Sequence, residues 1–415
     1  MRRQLGLMVA MAISLTALGD DWPQWRGPHR DGISKETGLL KQWPESGLKV
    51  IWEEKEVGEG YGAPAIAGGM LYLVCNLGLT NESVAAYDAS TGAKHWRTQI
   101  GAVGNPNQQP KYPASRSTPT VDGNALYVLG SDGDIASLSL KGSIHWQKNA
   151  RKEFGGQPGV WAYSESPLVD GDAVIFAPGG PDVALVALKK NSGEVIWKTP
   201  AADLGQAAYA SAIVVEHGGV RQYVTVTQKA LIGVDAKTGK LLWRYDRAAK
   251  GSPANIPTPV AHDGIIYTAG ARTGAGAVKL NVAGDSVTVE ELYFDTKLPA
   301  AIGGSLLVGD TLFGTSGAGL MAVDFQTGKV KWQDKSIAPA SLLYADGNLF
   351  LHGEDGEVAL VEASSDGYHQ KGRFKPAGIP PRANNGKAWS YPALSDGRLY
   401  IRDGASLWCY DVKGQ

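Results

Sequence analysis

The sequence predicts an all-β protein, an eight-bladed β-propeller of four-stranded antiparallel blades. Three observations predict it: a repeated turn that ends in tryptophan, a repeated hairpin ahead of that turn, and two half-repeats left unpaired near the ends. The turn is clearest in GVDAKTGKLLW, Gly233 to Trp243. Ile232 and Val234 end one strand, the Asp235 carboxylate can accept from turn N–H groups, and Thr238-Gly239 reverses the chain. Lys240 to Trp243 then begins the return strand. Near-copies run from Ala86 to Trp96, Ala187 to Trp197 and Ala322 to Trp332, with a copy one residue shorter from Ser137 to Trp146.

The front half of each repeat is a strand, a glycine turn and a second strand. Examples begin at Ala63, Thr118, Ser166, Thr258, Ser341 and Tyr391, most with Asp-Gly between alternating apolar residues. Weaker members begin at Ser211 and Ser305, making eight. Counted separately, the return-strand aromatics are Trp52, Trp96, Trp146, Trp197, Trp243, Tyr293, Trp332 and Phe374, also eight. The tryptophans are expected to pack where blades meet, because a single four-stranded unit cannot bury both of its faces. Lys49 to Trp52 is a return strand with nothing before it, and Ser406 to Gly414 reaches a turn glycine with nothing after it. If the first completes the sheet begun by the second, the N-terminal strand joins the C-terminal blade and the ring closes.

Three regions are expected: a signal peptide over 1–19, an arm over 20–47 packed on the propeller, and the propeller over 48–415. Arg2 and Arg3 precede the apolar run Leu5 to Leu18, which is short for a membrane span, and Ala17 and Gly19 suit a cleavage site before Asp20. No cysteine follows that run to carry a lipid, so a periplasmic or secreted protein with no membrane span is expected. The arm is rich in Trp, Pro, Gly and Arg. Trp22, Trp25 and Trp43 should pack it onto the body, with Arg26 and Arg30 at the edge. Forty basic against 41 acidic side chains give no field that would attract nucleic acid. Cys75 and Cys409 lie in apolar strand patterns and read as buried free thiols.

The pattern D-x-x-TG-x-x-x-W behind a P-x-x-x-DG-x-x-Y strand pair resembles the pyrroloquinoline quinone (PQQ) repeat, over roughly residues 48 to 412. That family makes eight-bladed propellers. Some are quinoprotein alcohol dehydrogenases, and others are non-catalytic, like the BamB-type protein of outer-membrane barrel assembly. DWPQWRGPHRDGIS (Asp21 to Ser34), WAYSESPLVDGD (Trp161 to Asp172) and IPTPVAHDG (Ile256 to Gly264) are similar to secreted planctomycete-type propellers often labelled polyvinyl-alcohol-dehydrogenase-like. In that pattern a His pair precedes the Gly-Gly, whereas here Ala301-Ile302 precede Gly303-Gly304.

Function in propellers sits on loops at the channel mouths. Loops entering the inner strands would bring Arg116, Trp161, Tyr163, Glu165, Tyr209, Asn255, Arg382 and Trp389 into a polar, aromatic cup. Such a cup suits a sugar, a peptide or a planar cofactor. The expectation is a monomeric binding or scaffold propeller with no cofactor, engaging an envelope protein or an extracellular glycan or peptide. The alternative is a PQQ-dependent alcohol or polyol dehydrogenase, with Ca²⁺ held by Glu165 and Asn255 and with Asp170 or Asp203 as base. No catalytic serine, zinc or nucleotide motif appears, and the seven histidines are scattered.

Overall fold

The computed structural model describes residues 20–108, 114–201, 203–284, 286–379 and 386–414. The expected signal peptide lies outside them. The described strands form eight four-stranded antiparallel sheets in a ring. Blades 1 to 7 span residues 65–102, 120–149, 168–200, 213–245, 260–295, 305–334 and 340–374. Blade 8 combines residues 393–411 with the strand Val50–Glu54. That strand pairs antiparallel with Ser406–Asp411, placing Trp52 opposite Cys409, so the ring closes as expected. Both cysteines are buried and free.

The repeat owes its spacing to a contact between blades. In blade 4, the Asp235 carboxylate accepts from the Thr238 N–H and hydroxyl at 2.7 and 2.6 Å, and Gly239 N–H bonds the Asp235 carbonyl at 2.9 Å. Gly239 lies against the Trp197 ring of blade 3, where a Cβ would come within 2.5 Å of the indole, and its φ is +74°. The same indole donates from Nε1 to the Ala236 carbonyl at 3.2 Å. Each indole is thus roofed by the next blade's turn and spends its N–H there. Trp52, Trp96 and Trp146 donate alike to Ala89, Leu140 and Lys190 at 3.0, 3.0 and 2.8 Å. Trp332 bonds Ser364, and the Tyr293 hydroxyl bonds Phe325.

Two positions depart from this rule for visible reasons. Blade 5 ends in a long hairpin, Gly274–Ala283 and Ser286–Asp295, so no short turn roofs Trp243. Its Nε1 turns instead to Gln222 Oε1 of its own blade, at 2.6 Å. Phe374 of blade 7 meets blade 8, whose outer strand follows the arm. There Gly47 and Trp43 of the arm cover the ring in place of a turn.

In the arm, Arg26 and Arg30 depart from their expected position. Trp22 exchanges two 2.8 Å backbone bonds with Ile66 of blade 1, and Pro23 accepts from Val121 of blade 2. Arg30 donates to the Ser166 and Pro167 carbonyls at the entrance to blade 3, and Arg26 donates to Ser305 of blade 6. Gly32 and Ser34 pair with Tyr344 of blade 7. A segment bonded to the innermost strands, or their first approach, in five blades lies on the propeller axis. Arg26 and Arg30 are therefore buried in the channel and not at the edge. The reason is space: eight inner strands enclose a gap wider than their own side chains fill, and the arm fills it. The chain then leaves past Asp346 and Val412, and Trp43 packs against Phe350 and Phe374.

Trp197→Ala is expected to cost about 3–5 kcal/mol, since it removes a buried ring and its bond across a blade boundary. Gly239→Ala should destabilise through the same contact. Ile196→Ala, at the neighbouring exposed position, should change stability by no more than about 0.5 kcal/mol. Urea unfolding of the three variants measures the difference.

Candidate functional site

The loops that lead into the inner strands meet at one mouth of the channel around a cavity of about 300 Å³. Arg116 comes from the loop before blade 2, Trp161 and Ser164 from the loop before blade 3, and Tyr209 from the loop before blade 4. Tyr61 precedes blade 1, Trp389 and Tyr391 precede blade 8, and Trp25 rises from the arm. Six aromatic rings thus face one space. Tyr61 and Trp389 lie 5.2 Å apart, Trp161 and Tyr209 5.9 Å, and Trp25 and Tyr391 4.4 Å, all tilted or edge-on. None of these three contacting pairs is parallel.

Hydrogen bonds fix these rings. Trp25 donates its indole N–H to Thr258 Oγ1 at 3.0 Å, Tyr391 its hydroxyl to the Ile302 carbonyl at 3.2 Å, and Tyr209 accepts from the Trp161 N–H at 3.3 Å. Gly159 permits this last approach, because a Cβ there would lie 2.1 Å from the Tyr209 hydroxyl. Arg116 donates to the Ala114 and Trp161 carbonyls at 2.9 and 2.8 Å, and its guanidinium stands 5.6 Å from the Tyr61 ring centre. Desolvation pushes the Arg116 guanidinium down to about 10, and it stays charged near neutrality. Arg272 is exposed at the rim, in a left-handed turn with φ +70°.

Of the residues singled out in the sequence, Arg116, Trp161, Tyr209 and Trp389 line the cavity. Tyr163, Glu165 and Asn255 stand behind its wall. The Tyr163 hydroxyl donates to the Pro178 carbonyl at 2.8 Å, and Glu165 Oε1 accepts the Ala177 N–H at 2.5 Å. The Asn255 amide nitrogen donates to the Thr227, Gln228 and Ala249 carbonyls. Arg382 lies outside the described residues. Trp25, Tyr61, Arg272, Ile302 and Tyr391 were not singled out as one set. A signal existed for Tyr61, which precedes an inner strand as the other loops do. The sequence offers Trp25 as an arm tryptophan that packs against the body, with ligand binding as the alternative, but its place in the lining depends on the arm entering the channel.

A Ca²⁺-held quinone requires hard oxygen ligands beside the ring system. The described lining offers no carboxylate and no imidazole, and no group of three or more His, Cys, Asp or Glu able to hold a metal occurs among the described residues. Glu165 spends Oε1 on the Ala177 N–H and Asn255 its amide nitrogen on carbonyls, so Glu165 Oε2 and Asn255 Oδ1 lie buried behind the wall without a hydrogen-bond partner. Asp170 pairs with Arg221 and bonds the Tyr223 hydroxyl, and Asp203 pairs with Lys229. No carboxylate of the described lining therefore faces a cation in the cavity itself.

The PQQ-repeat family model described as "Outer membrane protein assembly factor BamB" matches residues 33–184 and 175–368. The chain belongs to this PQQ-repeat family. A polyvinylalcohol dehydrogenase from Sphingopyxis sp. (strain 113P3) is 24% identical over 314 residues, 70% of this chain and 41% of that protein. An outer membrane protein assembly factor BamB from Burkholderia pseudomallei is 26% identical over 267 residues, 56% of this chain and 68% of that protein. The chain thus spans under half the length of the dehydrogenase it matches. Among solved structures, a quinohemoprotein alcohol dehydrogenase from Comamonas testosteroni superposes with a TM-score of 0.67 at 13% identity. That match covers 95% of this chain and 81% of the solved one, and shares the propeller fold. PQQ-repeat relatives therefore include both dehydrogenases and assembly factors.

Two buried carboxyls support the pocket walls. Burial pushes Glu165 up to about 8 against the pull of the Ala177 N–H and of Arg30, and pushes Glu82 up to about 7 although Ser131 donates to it twice. In the unfolded chain both titrate near 4.3. Their folded pKa values are raised, so their stabilising contribution is complete below about pH 4.3 and is lost as pH rises through about 7 to 8. Glu165→Gln is expected to flatten the fall in melting temperature between about pH 5.5 and about pH 8.5; thermal melts of the two proteins across that range test it.

Proposed function

We propose that this chain is a non-catalytic binding propeller of the bacterial envelope. Its channel-mouth pocket holds a ring-bearing glycan unit or a peptide side chain presented by an envelope partner. The observation that carries this reading is the make-up of the described lining: aromatic faces and two guanidiniums, with no carboxylate or imidazole among the described residues to take a proton from an alcohol. Fixed aromatic faces supply apolar contact at low entropic cost, and the arginines supply orientation. The family likeness to an outer membrane protein assembly factor supports a periplasmic setting and a protein partner. Among the described residues no helix is long and apolar enough to cross a membrane.

The second reading is a PQQ-dependent alcohol or polyol dehydrogenase, and its support is the likeness to the polyvinylalcohol dehydrogenase. The two readings diverge in one assay. The purified chain is mixed with PQQ and Ca²⁺, and dye reduction is followed with primary alcohols and polyvinyl alcohol. No turnover above the quinone-free control is expected; turnover would establish the dehydrogenase. In parallel, oligosaccharide and peptide arrays are screened by tryptophan fluorescence. A ligand found this way should bind Trp161→Ala or Trp389→Ala roughly tenfold more weakly, the loss of one aromatic contact of about 1.4 kcal/mol.

A further inference from the structure

Arg26 and Arg30 carry two positive charges into the centre of the molecule, where they are only 2% and 3% exposed. All of their acceptors are neutral. Arg26 Nη2 donates to the Asp31 carbonyl at 3.0 Å and to that of Ser305. Arg30 donates to Gln24 Oε1 and the Pro167 carbonyl, each at 3.1 Å, and to the Ser166 carbonyl at 2.7 Å. Among the described residues neither guanidinium has a carboxylate within ion-pair distance, and Arg26 Nε, Arg26 Nη1 and Arg30 Nε have no hydrogen-bond partner. Buried charges are ordinarily paired, because removing an ion from water costs several kcal/mol. Here two like charges feel each other across the channel. Asp31 acts on Arg26 and Glu165 on Arg30 only from beyond ion-pair distance, and burial pushes the Glu165 carboxyl up to about 8.

The backbone adds a second, independent observation. Arg26 and Arg30 have φ of +58° and +59°, a left-handed conformation that costs a side-chain-bearing residue about 1 kcal/mol or more. Glycine would adopt it without strain, yet the arm turns on arginine at both places, with both guanidiniums buried.

We infer that the propeller axis carries an anion-binding site at the Arg26 guanidinium, reinforced by Arg30, for a small inorganic or carboxylate anion. The anion satisfies the unpartnered N–H groups and neutralises the pair. It fastens the tip of the arm inside the channel and thereby holds the neighbouring Trp25 in the pocket lining.

Crystals of the full chain soaked in sodium bromide test this directly. An anomalous difference peak within hydrogen-bond distance of Arg26 is expected; an ordered water there with no anomalous signal overturns the site. In solution, melting temperature is followed at constant ionic strength as bromide or acetate replaces a bulky, weakly coordinating anion. A saturable rise is expected, lost in Arg26→Gln, and the relative midpoints show whether the halide or the carboxylate is preferred. A rise that never saturates, or that Arg26→Gln and the native chain share equally, overturns the site. Should Arg26→Gln fail to fold, the bromide measurement on the native chain decides alone.

Discussion

One contact recurs around the ring: an indole of one blade lying beneath the turn glycine of the next and donating its N–H to a carbonyl of that turn. Each half of the contact explains a constraint on the other. The ring needs a backbone that approaches closely, which only a residue without Cβ allows, and the buried N–H needs an acceptor, which the turn carbonyl supplies. Because the contact links neighbouring blades, its geometry propagates in one direction until the last blade must meet the first. Trp52 makes that final link from a strand paired with Ser406–Asp411, so the two ends of the array share one sheet.

Closing such a ring creates a second problem at its centre. The inner strands are short and leave room along the axis, where their axis-facing carbonyls and N–H groups need partners from water or from the chain itself. The arm meets both needs. Trp22 extends blade 1 by a two-way backbone pairing, and the turns around Arg26 and Arg30 lend their donors to loop carbonyls of blades 3 and 6. The same insertion sets how deep the mouth of the channel is, because Trp25 closes against Tyr391 and Thr258.

The mouth is therefore a composite of loops from several blades and one arm residue, with Tyr163, Glu165 and Asn255 behind its wall. Tyr163, Glu165 and Asn255 spend their hydrogen bonds on backbone groups of the blades behind them, which holds the loops bearing Trp161 and Tyr209 in place. This division leaves ring faces and guanidiniums toward the cavity. Among the described residues no carboxylate or imidazole lines it.

By itself the sequence determined the blade count, the strand pairs and the closure, because turn chemistry and alternating burial are local properties with fixed spacing. Thr238-Gly239 ahead of Trp243, and the orphan strand at Trp52, could be recognised without coordinates. The sequence also marked the loops that carry Arg116, Trp161, Tyr209 and Trp389, since these precede inner strands. It did not reveal which side chains on those loops face outward: Tyr163 and Glu165 lie within four residues of Trp161 yet point into the wall, a choice made by the backbone bonds available behind them. Nor did it reveal the course of the arm. Only the tertiary structure decided that residues 22–34 enter the channel, because the space they fill does not exist until eight distant segments have closed around it.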